Sequence, residues 1–434
     1  MAEKRDAAAA GGAAGAGAEA KKAKPSGDAA GGERGAFMAA FARLKGALLE
    51  DALVSEATAS GGADGEGKTA AQRWMDEMLE YNVPGGKLNR GISVVDTIRV
   101  LMEHGCGGGA RDAAHEAELL FQARVVGWCI EWLQAFFLVA DDIMDGSVTR
   151  RGQPCWYLVD HVKMNACNDC ILLECHIYRL LKMFVAGSRC YAQILDLFHD
   201  VTYQTSVGQM LDLITAPVGK ADLSKYTLET YKNIVKYKTA FYSFVLPVCS
   251  AMLLLGVDGA REHEIAREVL LPMGEYFQVQ DDFLDAFGDP EVIGKVRAST
   301  ERGCPPACAR VRFPTLINPH QPPARTPIPA RLGNGRRRQV GTDIEDSKCS
   351  WLIVQVMRRA SEAQMAVVKA HYGGSGAESV AAIKALYREM GIEQVYRDYE
   401  QECYASLTKM IGDQDKLPKE VFTKFLEKIF KRSK

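Results

Sequence analysis

Two copies of Asp-Asp-x-x-Asp, each set beside an apolar helical run, constrain this chain more than any other feature. The first is Asp141, Asp142 and Asp145, closing the run Trp132-Leu-Gln-Ala-Phe-Phe-Leu-Val-Ala140. The second is Asp281, Asp282 and Asp285, following Tyr276-Phe-Gln-Val-Gln280. On a helix the first and last aspartates of each copy lie four residues apart and share a face. Apolar neighbours at several phases of the helix imply burial on most sides. Carboxylates clustered in such a place repel one another and lose hydration unless cations neutralise them. A hard divalent cation meets that need, because Mg²⁺ takes oxygen ligands and keeps positions open for phosphate. Two solvated acidic faces are the plainer alternative, but recurrence in two apolar settings favours metal.

The surrounding sequence reads as helix almost throughout. Glu118 to Ala140, Tyr191 to Leu213, Leu228 to Leu246 and Glu262 to Phe287 carry apolar residues at helical spacing. Alternating strands with tight Asn-Gly turns are missing, and Gly-rich breaks at Ser60 to Gly67 and Gly105 to Gly109 read as loops. The expected fold is all-α, one helical bundle over 37–434 around a central apolar cavity. Two acidic copies that far apart in sequence can face each other across its core.

Two segments stand apart. Residues 1–36 contain 14 Ala and 8 Gly and are expected to form a disordered tail. The acids Glu3, Asp6, Glu19, Asp28 and Glu33 argue against a transit peptide, so the expected location is the cytoplasm. Val296 to Gln339 holds 8 of the chain's 16 prolines and 9 arginines against one acid, Glu301. Such a segment cannot continue a helix or a central strand, and is expected to be a disordered insert at about 296–340.

Overall charge is near balance, 53 Lys+Arg against 55 Asp+Glu, which excludes a broadly basic nucleic-acid binder. The longest nearly unbroken apolar run, Phe244 to Val257, is short of the roughly 20 residues of a bilayer span, so no transmembrane segment is expected. The scattered cysteines read as reduced intracellular thiols. Cys167-Asn-Asp-Cys170 and Cys304-Pro-Pro-Ala-Cys308 lack the partner pair a zinc site needs. Arg336-Arg-Arg338 is weak evidence for a nucleic-acid or targeting patch.

Cations accompany the acidic motifs. Arg150 and Arg151 follow the first copy by about a turn and a half. Lys87 and Arg90 lie in Gly85-Gly86-Lys87-Leu88-Asn89-Arg90, where glycines let backbone N–H groups approach an anion. Lys238 and Thr239 lie inside an apolar helical stretch. Together they suggest sites for two polyanions, one bridged by metal and one held by Arg and Lys alone. The substrates would be diphosphates carrying apolar groups.

Five stretches now stand in order: Tyr81 to Gly91, Phe136 to Gln153, Gly208 to Leu213, Lys236 to Phe244 and Phe277 to Asp285. They resemble the successive motifs of the farnesyl diphosphate synthases, short-chain trans-prenyltransferases of the polyprenyl synthase family. The resemblance runs from about Phe37 to Lys434, broken by the insert. It implies an isoprenoid-synthase-type bundle, Mg²⁺ (three ions per site, with Mn²⁺ a substitute) and a homodimer. It implies head-to-tail condensation of isopentenyl diphosphate with dimethylallyl and then geranyl diphosphate. Ionisation of the allylic diphosphate, alkene attack and proton loss would give farnesyl diphosphate.

By matching motif position, Asp141, Asp142, Asp145, Asp281, Asp282 and Asp285 would hold the metal. Arg150, Lys238, Thr239, Gln278, Lys295 and Lys348 would contact the allylic substrate. Gly86, Lys87, Arg90, Gln134 and Arg151 would hold isopentenyl diphosphate, and the basic end Lys431-Arg-Ser-Lys434 would close over it. The Lys238 carbonyl and the Thr239 hydroxyl could face the cation, with Lys238, Thr239, Arg150 and Arg151 as the catalytic set. Released diphosphate can accept the proton, so no His or Glu base is required. Phe136 and Phe137, five and four residues before Asp141, would form the floor that stops growth at C15. Core packing is the plainer alternative for both.

The insert separates Lys295 from Lys348, and its length and ends permit a retained intron as well as a lineage-specific loop. A chain impaired by it is therefore the alternative function. A terpene cyclase is the other, although its second metal motif usually reads Asn-Asp-x-x-Ser-x-x-x-Glu rather than Asp-rich.

Overall fold

The computed structural model describes residues 32–58, 67–108, 112–217, 222–288, 341–374 and 376–430. Residues 1–31 of the expected tail, the insert together with Lys295, and Lys431 to Lys434 lie outside the described residues. Glu33 to Ala36, also expected in the tail, instead begin the first helix, where Glu33 pairs with Arg124 at 2.8 Å.

Helical periodicity and well-placed caps set the elements in the first half. They are α1 (Glu33–Leu49), α2 (Ala52–Thr58), α3 (Ala70–Asn82), α4 (Asn89–Glu103), α5 (Ala113–Asp145), α6 (Ala166–Phe184) and α7 (Tyr191–Thr215). Thr69 and Gln72 cap α3 reciprocally, and the Asp112 side chain accepts from the His115 N–H to start α5. Next comes one continuous helix over 228–255. It comprises α8 (Leu228–Val235), a π-helical stretch (Lys236–Val245) and α9 (Leu246–Leu255). Then follow α10 (Ala260–Phe287), α11 (Thr342–Glu345), α12 (Trp351–Met357), α13 (Glu362–His371), α14 (Ala377–Glu389), α15 (Ile392–Asp413) and α16 (Lys419–Ile429). The four stretches expected to be helical are helical, each longer than the sequence suggested.

The main core surrounds α5, whose Trp128, Trp132 and Leu133 are fully buried. Phe37 of α1 stacks on Trp128 at 4.6 Å and accepts its indole N–H at 2.7 Å. Helix α4 crosses α5 at Gly127, where an added Cβ would stand 2.4 Å from the Gly91 carbonyl oxygen. A second, smaller core covers the end of α10 with α11 to α15, built on Trp351, Ile353, Tyr387 and Tyr396. Ala113–Asp145 and the 228–255 helix are long and apolar enough to cross a bilayer, but both are mostly buried in the bundle.

Two local features depart from expectation. Arg150 and Arg151 do not continue a helix. Gly146 ends α5 at φ 65°, and a two-stranded hairpin follows: β1 (Thr149–Arg150) against β2 (Gln153–Pro154). Its turn, Arg151-Gly152, has both residues at positive φ, the geometry that matches strand twist in a two-residue hairpin. The other departure is the π-helical stretch, where a regular α-helix was expected.

Candidate active site

A cavity of about 1450 Å³ opens between α5, α7, the π-helical stretch, α10 and α11, at the end of the bundle that carries both acidic motifs. Asp141 and Asp145, one turn apart at the end of α5, line it from one side. Asp281 and Asp282 of α10 line it from another.

Each motif divides its carboxylates between cavity and scaffold. Asp142, expected among the metal ligands, does not line the cavity. It is buried and grips Arg150, whose Nε donates to its two oxygens at 3.0 and 3.2 Å. Its work is therefore to aim a guanidinium at the cavity that Arg150 lines. Asp285 likewise turns to the scaffold, accepting from the Thr342 hydroxyl at 2.9 Å and the Asp343 N–H at 3.1 Å at the start of α11. Asp282 accepts from the Trp351 N–H at 2.8 Å and from Gln278 at 3.0 Å. Burial pushes its carboxyl far above the usual carboxylate range despite those donors.

Two lysines bridge the open carboxylates. Lys238 Nζ lies 3.2 Å from Asp141 and 2.6 Å from Asp212. Lys348 Nζ lies 2.8 Å from Asp145 and 3.3 Å from the same oxygen of Asp212. Burial alone would lower both ammonium groups, but the acids, Asp212 foremost, outweigh it and hold them above their ordinary value. Gln209 donates to Asp141 at 2.9 Å. Among the described residues no three His, Cys, Asp or Glu side chains converge into a ready-made metal cage. The donor chemistry nonetheless fits a hard divalent cation, since Asp141, Asp145 and Asp281 all present carboxylates to one cavity. Asp212 was not singled out from sequence. Its signal was the stretch Gly208 to Leu213, whose glycine and acid are four residues apart.

Thr239 donates to Gln278 Oε1 at 3.2 Å, and Gln278 donates onward to Asp282. The π-helical stretch that carries Lys238 and Thr239 lies between two glycines. A Cβ on Gly208 of α7 would stand 2.1 Å from the Lys238 nitrogen, and one on Gly274 of α10 would stand 2.4 Å from the Ala240 Cβ. The widened turn lets its backbone lie this close to both neighbours.

Arg90, Gln134 and Arg151 form a second basic group. Arg90 donates to Ser243 at 2.9 Å and to Gln134 at 3.4 Å, with its guanidinium 4.9 Å over the Tyr242 ring. Arg151 donates to the Asn82 carbonyl at 3.2 Å. Burial pulls its pKa down although Glu131 opposes the shift. Gly85 and Gly86 make room for Arg151, whose Nη atoms would stand 3.0 and 3.1 Å from added Cβ atoms. The space left by the missing side chains is taken by this guanidinium. Lys87 is exposed, and its carbonyl accepts from Arg34 at 2.9 Å.

Among the described residues, three of the four non-glycine residues with positive φ adjoin or belong to these sites: Leu88, Arg151 and Ser347, beside Lys348. Strained backbone held by its surroundings often marks function. At the expected floor neither Phe136 nor Phe137 lines the cavity. Gln134, Leu138 and Tyr242 do, with the Phe137 ring 6.3 Å behind Tyr242 and Phe136 packed 4.6 Å from Phe137.

Fold and site together define an all-α isoprenoid synthase, with carboxylates and cations facing one cavity. The family model for polyprenyl synthetase matches residues 72–301 and 334–390, breaking inside the insert. The chain is 45% identical over 361 residues to a farnesyl pyrophosphate synthase of Bos taurus, covering 83% of this chain and 88% of the relative. It is 43% identical over 403 residues to that of Gallus gallus, covering 93% of each. A T. brucei farnesyl diphosphate synthase structure complexed with minodronate superposes with a TM-score of 0.74 at 32% identity, covering 92% of this chain and 99% of that one. The chain therefore belongs to the polyprenyl synthetase family and is a prenyltransferase.

Proposed function

We propose that this chain joins isopentenyl diphosphate to dimethylallyl diphosphate, and then to geranyl diphosphate, and releases farnesyl diphosphate. The observation that carries this reading is one cavity lined by carboxylates of two helices, Asp141 and Asp145 facing Asp281, with Lys238, Lys348 and Arg150 beside them. An allylic diphosphate needs both metal and basic side chains, and Arg150, Lys238 and Lys348 supply the latter. Arg90, Gln134 and Arg151 would hold isopentenyl diphosphate on the adjoining side. The resident cation would be Mg²⁺, three per site, held by Asp141, Asp145 and Asp281, and it supplies electrostatic stabilisation of the departing diphosphate. Thr239 and the Lys238 carbonyl would face the allylic cation. Chain growth would end against Tyr242, backed by Phe137.

The cytoplasm is the proposed location. A homodimer is the proposed assembly. Supporting it, α7 exposes Tyr203, Met210 and Ile214 along one face.

The test is product analysis of the full-length chain with isopentenyl and dimethylallyl diphosphates and Mg²⁺, beside a version lacking Val296 to Gln339. C15 product from both is the expected result. Cyclic hydrocarbon or C20 product would overturn the assignment, and C15 from the shortened version alone would make the insert inhibitory.

A further inference from the structure

Asp212 sits where two cationic side chains meet. Its carboxylate, on α7 and only 5% exposed, accepts Lys238 at 2.6 Å and Lys348 at 3.3 Å on one oxygen, Oδ2. Each lysine reaches past it to a different carboxylate of the first acidic motif, Lys238 to Asp141 and Lys348 to Asp145. The order Asp141, Lys238, Asp212, Lys348, Asp145 is thus an alternating chain of charge. Burial would raise the Asp212 carboxyl, but the two lysines outweigh it and hold it ionised.

This arrangement poses a problem of exchange. A divalent cation taking Asp141 and Asp145 competes with both ammonium groups for the same oxygens and repels them at short range. Without a further acid, both half-buried lysines would lose their counter-ions at once, which is unfavourable. Asp212 lines the same cavity but belongs to neither acidic motif, and it pairs with both lysines.

We propose that Asp212 is the standing counter-ion of Lys238 and Lys348, which retains both ammonium groups at the site when a divalent cation takes Asp141 and Asp145 from them. Metal entry is then a change of partner rather than the ejection of two cations. The lysines stay within reach of the diphosphate that follows. Asp212 is on this view a positioning residue. The inference rests on the proposed metal role of Asp141 and Asp145, and deepens it.

The experiment measures Mn²⁺ binding to the full-length protein by loss of the free-ion EPR signal, with and without inorganic diphosphate. It needs no prenyl transfer. Asp212→Asn should weaken Mn²⁺ binding on the order of tenfold, because both lysines then depend on Asp141 and Asp145 alone. Lys348→Gln should strengthen binding of Mn²⁺ alone by several-fold, since it removes a competitor from Asp145. A simple loss of negative charge would also weaken binding in Asp212→Asn, so the double variant decides the matter. Under the proposal, Lys348→Gln raises affinity more in the Asp212→Asn background than in the wild type. Equal effects in both backgrounds, or unchanged binding in Asp212→Asn, would overturn it. Wild-type protein that binds no Mn²⁺ even with diphosphate would overturn both the inference and the metal reading beneath it. An Asp212→Asn chain that does not fold leaves Lys348→Gln to decide: no gain in Mn²⁺ affinity would sink the exchange.

Discussion

At the scale of single residues, the two acidic motifs were legible because three carboxylates at helical spacing in apolar sequence need cations. Which carboxylate does what was not legible. Asp142 is committed to Arg150, eight residues on and across a helix end, and Asp285 to a helix far along the chain. Neither partnership follows from spacing within the motif. Asp212 lies in the stretch Gly208 to Leu213 but was passed over as a site residue, because only the fold brings two lysines to it. Thr239 stands at the junction of these networks. Its hydroxyl hydrogen donates to Gln278, which leaves the oxygen lone pairs available to a developing allylic cation. Replacing Thr239 with Val should lower kcat on the order of tenfold while the allylic KM changes little, the pattern of an interaction made only in the transition state. Steady-state kinetics with geranyl diphosphate checks this, and an unchanged kcat would remove Thr239 from the mechanism.

At the scale of elements, the caps at Thr69 and Asp112 are findings of the structure, while the helices themselves were readable from apolar periodicity. Two elements were not. The Arg151-Gly152 hairpin hides in a stretch too short for strand alternation to register. The π-helical stretch depends on close approach by Gly208 and Gly274 from separate helices, which local sequence does not encode. Gly208→Ala sets two effects against each other. Helix propensity alone favours Ala over Gly by about 1 kcal/mol in a helix interior. The added methyl, however, would sit 2.1 Å from the Lys238 nitrogen and 2.5 Å from the Tyr237 carbonyl carbon, and these are backbone atoms that cannot rotate away. Overpacking of this kind costs roughly 1–3 kcal/mol, sometimes more, so the clash should win. We expect a lower unfolding midpoint in urea and a larger loss of activity than of stability, because Lys238 is what moves. A variant as stable and as active as the parent would show that the contact is not tight.

At the scale of the whole molecule, one contribution to stability against acid comes from a buried histidine outside the active site. His176 of α6 is 6% exposed, and its Nδ1 has no hydrogen-bond partner among the described residues. Burial depresses its pKa from 6.5 to about 4, although the Asp51 charge pulls the other way. Above pH 6.5 the ring is neutral folded or unfolded and has no effect on the balance. As pH falls below 6.5 the unfolded chain takes up the proton and the folded chain does not, so folding stability declines. The decline ends near pH 4, where the folded ring also protonates. A shift of this size corresponds to about 3 kcal/mol. Asp51, held low chiefly by Arg179, loses its contribution only at more acidic pH, below the ordinary aspartate value, so the two effects fall in separate windows. Urea unfolding at pH 7 and pH 4.5, for the parent and His176→Leu, isolates the effect. The parent should lose about 2–3 kcal/mol more than the variant over that interval. Parallel losses would mean that His176 is already free to protonate in the folded bundle, and that the first half of the main core is looser around α6 than its burial indicates.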